Sequence, residues 1–294
     1  MHLWDLSRLY YDWLTDKIIT DDVTGDYTPI CNRNYLPEDF LRDLPPSQHV
    51  IAVHIECALG HKDPVEETEW LASVADRHHW IGAIVGRGDL TDSGFEELLD
   101  RHMAASRLFR GIRMFSQPQV WSTGQFKRGL RLLRDRNLLF DLDADPETMA
   151  QAGEMARACD GVRIILGHAG FPKHRTVEYF HHWRKAMKSL AAHENVACKV
   201  SGLGMADHKW TEDTIRPWVE GCLECFGTKR CMFGTNWPVD SLYSKYDAVL
   251  NSYTRILGGL SEEEHHDFFY QNAVSHYSIK VSSPEERLPG RLEK

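Results

Sequence analysis

The chain reads RCMFGTNWPVD over residues 230–240, and this stretch decides the fold. Its segment Cys231–Thr235 is an apolar run that ends in small residues, and the amide of Asn236 follows at once. Pro238 has no backbone N–H and therefore cannot continue a paired strand. We interpret the stretch as a short buried strand that presents one polar side chain at its carboxyl end.

Two earlier segments share this design. The apolar run Ile164–Gly167 is followed by His168, and the run that starts at Phe109 carries Arg113 near its end. A (β/α)8 barrel collects its active site from polar residues at the carboxyl ends of several parallel strands. The three segments together therefore predict an active site of this kind.

Seven segments are predicted to be strands, and helical patterns lie between them. The strand segments are Val50–Cys57, Ile81–Gly86, Phe109–Met114, Leu138–Leu142, Val162–Gly167, Val196–Ser201 and Cys231–Thr235. They are mostly apolar rather than alternating, which is typical of parallel strands that are buried on both faces. Regular alternation of strands and helices over 294 residues predicts an α/β fold, the (β/α)8 TIM barrel, since about 250 residues suffice for such a barrel.

A complete barrel needs one strand more than these segments supply. We therefore predict that the first strand is truncated or missing at the amino terminus, with Met1–Trp4 as its last residues. An open sheet edge of this kind would favour a homodimer. We expect a single domain over residues 1–281 and a polar carboxyl-terminal tail over residues 282–294.

Composition argues against several classes of function. The formal net charge of −9 is not the basic balance of a nucleic-acid-binding protein. No run of 18 apolar residues indicates a membrane span, and the first residues do not resemble a signal peptide, so we expect a cytoplasmic protein. Cys222 and Cys225 form a C-x2-C pair, but they lie on a predicted helix and no second pair has zinc-ligand spacing.

Seven short motifs occur along the chain in a fixed order. They are His2–Asp5, Val53–Glu56, Asp63–Leu71, Gly111–Arg113, Leu166–Gly170, Lys199–Leu203 and Phe233–Pro238. In this order they resemble the amidohydrolase superfamily, of the amidohydrolase-2 type. The resemblance is to its branch of lactone hydrolases, which includes 2-pyrone-4,6-dicarboxylate lactonase and the sugar-acid lactonases. The resemblance implies a TIM barrel that hydrolyses a cyclic ester.

The chain departs from the family pattern at two positions. Family members open with a strand that ends in His-x-His, and here only the second histidine is present, as His2. They commonly end the last strand with an aspartate, and here that position is Asn236. Both changes remove a metal ligand or a base. The resemblance therefore implies that no metal is required, although a divalent ion such as zinc at His2 and His168 is possible.

The resemblance also implies roles for the catalytic residues. His168 would polarise the lactone carbonyl or shuttle a proton, and His2 would assist it. Asn236 would orient water, but an amide cannot accept a proton. A base is needed to activate water, and Asp141, Asp143 and Asp240 are candidates because they lie at strand ends or in the following loops.

Two arginines are candidates for substrate binding. Arg113 suits a bidentate contact with a substrate carboxylate, or it forms a salt bridge with Asp141 or Asp143 across the barrel. Arg87 follows another strand end and is a second candidate.

Other polar residues have two interpretations each. Glu56 lies inside an apolar strand, where a lone carboxylate is costly, so it lines the cavity or has a buried partner. Tyr11 belongs to an aromatic loop that either covers a substrate or packs against a helix. Lys199 and Ser201 lie near a strand end, and Lys199 could pair with a carboxylate.

The function predicted first is a lactonase-like hydrolase acting on a small anionic or polyhydroxylated lactone, with a lactone or carboxylate as its small-molecule partner. A second reading is a catalytically degenerate barrel that binds a small molecule or a partner without turnover. A third is a decarboxylase-type relative, which suits the depleted ligand set less well.

Overall fold

A computed structural model describes most of the chain. The residues that it describes are 1–15, 20–21, 23–46, 48–60 and 62–281. The predicted tail over residues 282–294 lies outside the described residues.

Seven parallel strands form one curled sheet in sequence order. They are β3 (Ala52–Ile55), β4 (Ile81–Arg87), β5 (Phe109–Arg113), β6 (Leu139–Leu142), β7 (Arg163–Leu166), β8 (Val196–Val200) and β9 (Cys231–Phe233). A short antiparallel pair, β1 (Thr20–Asp21) and β2 (Gly25–Asp26), precedes the sheet. All seven predicted strands are confirmed, and the sheet is a TIM barrel with a truncated first strand.

Helices follow the strands and cover the outer face of the sheet. They are α1 (Pro37–Asp43), α2 (Pro64–Ala75), α3 (Phe95–Ala105), α4 (Pro118–Trp121), α5 (Gly124–Asp135), α6 (Met149–Ala158), α7 (Val177–Ala191), α8 (Glu212–Phe226), α9 (Tyr246–Ile256), α10 (Glu262–His266) and α11 (Asn272–His276). None of the described helices is both long and apolar enough to cross a membrane.

The sequence from Glu262 to His276 has the pattern of one continuous helix, and the structure differs from this pattern. In the structure a π-helical turn, Asp267–Gln271, separates α10 from α11. Beyond this wider turn, the Asn272 amide donates hydrogen bonds to the carbonyls of Thr228 (2.6 Å) and Cys231 (2.7 Å). The turn therefore lets one side chain satisfy two carbonyls beside β9.

The interior of the sheet is a layer of apolar side chains, to which most strands contribute one. Ile55, Val85, Leu139, Ile165, Ala197 and Met232 pack together there with Tyr277. Side chains alternate along a strand, so the residue two positions later points to the same side, nearer the carboxyl end. Leu139 is followed in this way by Asp141, and Ala197 by Lys199, which is how the fold brings charged groups to the mouth of the barrel.

The first two residues occupy the gap between β3 and β9. The Met1 amino group donates to the Val53 carbonyl (3.1 Å), and the Ile55 amide donates to the Met1 carbonyl (3.1 Å). On the other side, the His2 amide donates to the Trp237 carbonyl (2.7 Å). This bridging confirms that the amino-terminal segment acts as the end of a first strand, and it fixes His2 in place.

We predict that the sheet tolerates no side chain at Gly111. A β-carbon there would lie 2.3 Å from the Leu139 carbonyl oxygen, so Gly111→Ala should lower the free energy of unfolding by about 1–3 kcal/mol. Gly124, at the start of α5, has open space around its missing β-carbon, so Gly124→Ala should be neutral or stabilising by up to about 1 kcal/mol. Urea unfolding of both variants measures the difference, and equal effects would contradict this account of the packing.

Candidate active site

A cavity of about 180 Å³ extends from the mouth of the barrel along the gap between β3 and β9. Polar side chains from the amino terminus and from several strand ends contribute to its wall; these are His2, Arg113, His168, Lys199, Ser201 and Asn236. The structure therefore brings His168, Arg113 and Asn236 together around one space, as their positions at strand ends predict.

His168 is held in an unusual backbone conformation. Residues 168–171 all have positive φ, between 48° and 68°, although only Gly170 among them lacks a β-carbon. Such conformations cost energy and persist when the surroundings impose them. The Trp183 indole donates to the Ala169 carbonyl at 2.8 Å, and the Ser201 hydroxyl lies 3.1 Å from His168 Nδ1.

The imidazole of His168 is neutral at physiological pH. Burial lowers its pKa well below the ordinary value, and the charges of Lys199 and Arg113 lower the pKa further. Because Ser201 contacts Nδ1, the other ring nitrogen, Nε2, is left for a ligand in the cavity. A neutral imidazole can accept a proton or donate a hydrogen bond, which are the two roles predicted for this residue.

Arg113 is already paired with an acid. Its Nε donates to Glu56 Oε1 at 2.7 Å, and its terminal nitrogen donates to the Glu56 carbonyl at 2.5 Å. Glu56 is fully buried and reaches Arg113 across the end of β4, so the partner is neither Asp141 nor Asp143. Glu56 thus has the buried partner that its position requires, and it neutralises the guanidinium.

Lys199 forms a second buried ion pair. Its Nζ donates to Asp141 Oδ2 at 2.7 Å, as the strand positions suggest. The Tyr277 hydroxyl also donates to Asp141, at 3.4 Å, and Tyr277 lines the cavity. Sequence reasoning missed Tyr277, because it follows α11 and no local pattern distinguishes it from an ordinary core aromatic residue.

Asp143 is a buried carboxylate that has no hydrogen-bond partner among the described residues. This holds for both of its oxygens. Burial raises the pKa of Asp143 to about 6. It does not line the cavity, and neither do Asp141 and Asp240. The three candidate bases therefore lie behind the cavity wall.

A row of three polar side chains runs from the mouth into the loop after β9. His2 Nε2 lies 3.4 Å from Asn236 Oδ1, and Asn236 Nδ2 donates to Asp240 Oδ1 at 2.8 Å. Nδ1 of His2 is 2.9 Å from the Ile55 carbonyl. Burial lowers the pKa of His2 and raises the pKa of Asp240 to about 7, so both ends of the row favour the neutral form.

Two predicted substrate-binding residues lie away from the cavity. Tyr11 is fully buried, and its hydroxyl donates to Glu67 Oε1 at 2.8 Å, so it packs against α2. Arg87 donates to the Leu59 carbonyl. Neither side chain lines the cavity, which is consistent with the packing alternative for Tyr11.

The mouth residues do not fit a metal site. In His2 and His168, Nδ1 is the atom near a protein oxygen, an arrangement that metal-bound histidines share, but no Asp, Glu or Cys among the described residues lines the cavity to complete a site. Within the described part of the chain, one group of at least three His, Cys, Asp or Glu residues places its ligand atoms within 4.8 Å of each other, and it contains neither histidine. That group is His54, Cys57 and Glu67, which do not line the cavity.

Comparison with known proteins places the chain in a family. The family model described as amidohydrolase matches residues 1–279. The chain belongs to the amidohydrolase family. The predicted resemblance is therefore confirmed.

Three relatives of this amidohydrolase are informative. It is 41% identical over 294 residues to y4mH, an uncharacterised protein of Sinorhizobium fredii, with 95% of this chain and 96% of that protein covered. It is 26% identical to an L-fucono-1,5-lactonase of Burkholderia multivorans, with 84% and 83% covered. A solved amidohydrolase structure from Burkholderia multivorans with bound zinc has a TM-score of 0.81 and 25% identity, with 95% and 97% covered.

The state of Asp240 leads to a prediction about pH. Its folded-state pKa of about 7 lies above the value of about 3.9 of an unperturbed aspartate, so the folded protein binds this proton more tightly. The stability that this proton contributes is complete below about pH 4 and is lost as pH rises through about 7. Relative to wild type, Asp240→Asn should gain on the order of 1–4 kcal/mol at pH 8 and little at pH 4.

Urea unfolding at both pH values measures this difference. Asp213→Asn, at an exposed position near the start of α8, is the control and should show the same small offset at both. An Asp240→Asn offset that is independent of pH would show that Asp240 is not held in its neutral form.

Proposed function

We propose that this amidohydrolase is a lactonase-like hydrolase that opens a small polyhydroxylated lactone. The observation that carries the proposal is the neutral imidazole of His168 beside the Lys199 ammonium group in one cavity at the strand ends. A proton acceptor next to a fixed cation is what hydrolysis of a cyclic ester needs. The similarity to an L-fucono-1,5-lactonase supports the same reaction class.

The charges around the cavity favour a neutral substrate. Arg113 is neutralised by Glu56, and Lys199 is neutralised by Asp141. Both cations already have a buried counterion, so a substrate carboxylate would add a negative charge that no unpaired cation among the described cavity residues compensates, whereas the oxyanion of the reaction forms together with a positive charge on His168. We therefore favour an uncharged sugar-acid lactone over an anionic lactone such as 2-pyrone-4,6-dicarboxylate.

In the proposed mechanism, His168 moves one proton and the Lys199 ammonium group stabilises charge. Water adds to the lactone carbonyl carbon and gives a proton to the imidazole of His168. The carbonyl oxygen becomes an oxyanion, which the Lys199 ammonium group stabilises. The ring C–O bond then breaks, and His168 returns the proton to the leaving alkoxide. One water is consumed, and the product is an open hydroxy acid.

The other mouth residues position the reactants. Asn236, with His2 at its Oδ1 and Asp240 at its Nδ2, is a fixed amide that can hold the water or the carbonyl. Asp141 holds the Lys199 ammonium group at a constant place, so no reorganisation is required as charge develops. No step in this scheme passes through a metal, because the donor groups of the mouth do not fit one.

The first prediction from this mechanism concerns His168. His168→Ala should lower kcat on a polyhydroxylated 1,5-lactone by about a hundredfold or more, the usual effect of losing an acid–base group. His181→Ala, at an exposed position on α7, is the matched control and should retain wild-type kinetics. A His168→Ala enzyme with unchanged kcat would remove this residue from the mechanism.

The second prediction concerns the substrate class. L-Fucono-1,5-lactone and related sugar-acid lactones should be hydrolysed with a kcat/KM at least about tenfold above that for 2-pyrone-4,6-dicarboxylate, since the described residues of the mouth include no unpaired cation. A pH-indicator assay of acid release measures both. A preference for the dicarboxylate would show that Arg113 or Lys199 exchanges its partner for the substrate.

A binding protein without turnover is the second candidate. It is favoured by Asn236 at the usual aspartate position and by the absence of Asp or Glu from the described cavity wall. Calorimetry on the same lactones distinguishes the two functions, because a lactone that binds without acid release supports the binding function. In that case Asn236→Asp is the variant to test for restored hydrolysis.

A further inference from the structure

A second cluster of ligand-type side chains lies outside the cavity. His54 and Cys57 come from the end of β3, and Glu67 comes from α2. One ligand atom of each lies within 4.8 Å of the others, and the residues are 0%, 2% and 1% exposed. Nitrogen, sulfur and carboxylate oxygen are the donor types that bind zinc in proteins.

A backbone carbonyl completes the cluster. The Leu3 carbonyl oxygen lies 3.2 Å from His54 Nε2 and 3.4 Å from Cys57 Sγ, and these two side-chain atoms are 3.7 Å apart. Tetrahedral coordination with bonds of about 2.0–2.3 Å requires ligand–ligand separations of about 3.3–3.8 Å. The three observed distances therefore outline one face of a coordination site that is already formed.

Carbonyl oxygens surround the histidine and the thiol. The Leu3 carbonyl contacts both His54 Nε2 and Cys57 Sγ, and the Ile55 carbonyl lies 3.7 Å from Cys57 Sγ. His54 Nδ1 is buried and has no hydrogen-bond partner among the described residues. An ion on Nε2 would keep the ring proton on Nδ1 and would not give this atom a partner, so the spacing of the donor atoms is what favours a cation here.

The charges nearby suit a divalent cation. Glu56 is already neutralised by Arg113, which leaves Glu67 as the uncompensated buried carboxylate of the cluster. With the Cys57 thiol ionised, the two ligands supply two negative charges to a dication, while His54 and the Leu3 carbonyl are neutral donors. Burial raises the pKa of Glu67 to about 8, so binding would release the carboxyl proton as well as the thiol proton to solvent.

Outer contacts already orient the carboxylate. The Tyr11 hydroxyl and the Cys57 amide both donate to Glu67 Oε1, at 2.8 Å and 3.3 Å. Partners of this type hold metal ligands in position and are a regular part of metal sites. The aromatic residue Tyr11 thus has a role in supporting the cluster that the cavity does not give it.

We propose that His54, Cys57, Glu67 and the Leu3 carbonyl form a closed structural site for a zinc-class divalent cation. The ion would tie three parts of the chain together: the segment after His2, the end of β3 and helix α2. Because Leu3 follows His2 directly, the ion would also fix the backbone of a residue that lines the cavity. This site is separate from the mouth and takes no part in the proposed reaction.

Cobalt(II) tests the proposal, because a thiolate ligand gives its complex a sulfur-to-cobalt charge-transfer band in the near ultraviolet. Protein produced in cobalt-supplemented medium and then dialysed should hold about one cobalt per chain and show this band with intense tetrahedral visible bands. Cys57→Ser should abolish the charge-transfer band, and Glu67→Gln should lower the retained cobalt at least about tenfold, a loss typical of altered metal sites.

Two controls separate this site from other places on the chain. Cys225→Ser removes the half-buried thiol of the C-x2-C pair and should leave the cobalt spectrum unchanged. His168→Ala removes a ligand-type side chain from the mouth and should also leave the spectrum unchanged. A band that survives Cys57→Ser, or that disappears with either control, would overturn the proposal.

The wild-type protein gives a test that does not depend on the folding of any variant. X-ray absorption at the zinc edge of protein purified with zinc should show one sulfur neighbour at about 2.3 Å, with nitrogen or oxygen neighbours at about 2.0–2.2 Å. Zinc with only nitrogen and oxygen neighbours, or no retained zinc, would rule out this site.

Discussion

Parallel pairing of seven strands in sequence order is the constraint on which the site depends. Because successive side chains alternate between the two faces, an apolar residue in the interior layer sets where the next inward residue points. Leu139 and Ala197 lie in that layer, and the residues that follow them inward are Asp141 and Lys199. A shift of one residue in either strand would move the pair to the helix-covered face.

Buried charge is the second constraint, and the protein meets it by pairing within the barrel. Arg113 with Glu56, and Lys199 with Asp141, place two cations in the mouth with their counterions at contact distance. Pairing lowers the cost of burying each ion. Because each cation is paired, the mouth has fixed local dipoles and no net positive field. Such a mouth favours polar, uncharged ligands over anionic ones.

Much of the fold follows from the sequence. Strands that are buried on both faces give long apolar segments, and the polar residue that follows each one is visible directly, as with His168 and Asn236. Which polar side chains pair with each other is harder to predict, because the pairing depends on distances across the barrel. Glu56 contacts Arg113 over the end of β4, a distance that no local pattern encodes. Tyr277 reaches Asp141 from a turn 136 residues away for the same reason.

The loop of residues 168–171 has a consequence for protein engineering. Its residues hold left-handed conformations that favour glycine, so Phe171→Gly would relieve backbone strain. The same change would remove the Phe171 ring, which packs edge-on against the His168 imidazole with ring centroids 4.8 Å apart, and would loosen the loop. Relief of backbone strain and catalytic order are therefore opposed at this loop, and variants selected for a relaxed backbone here should be screened for activity from the first round.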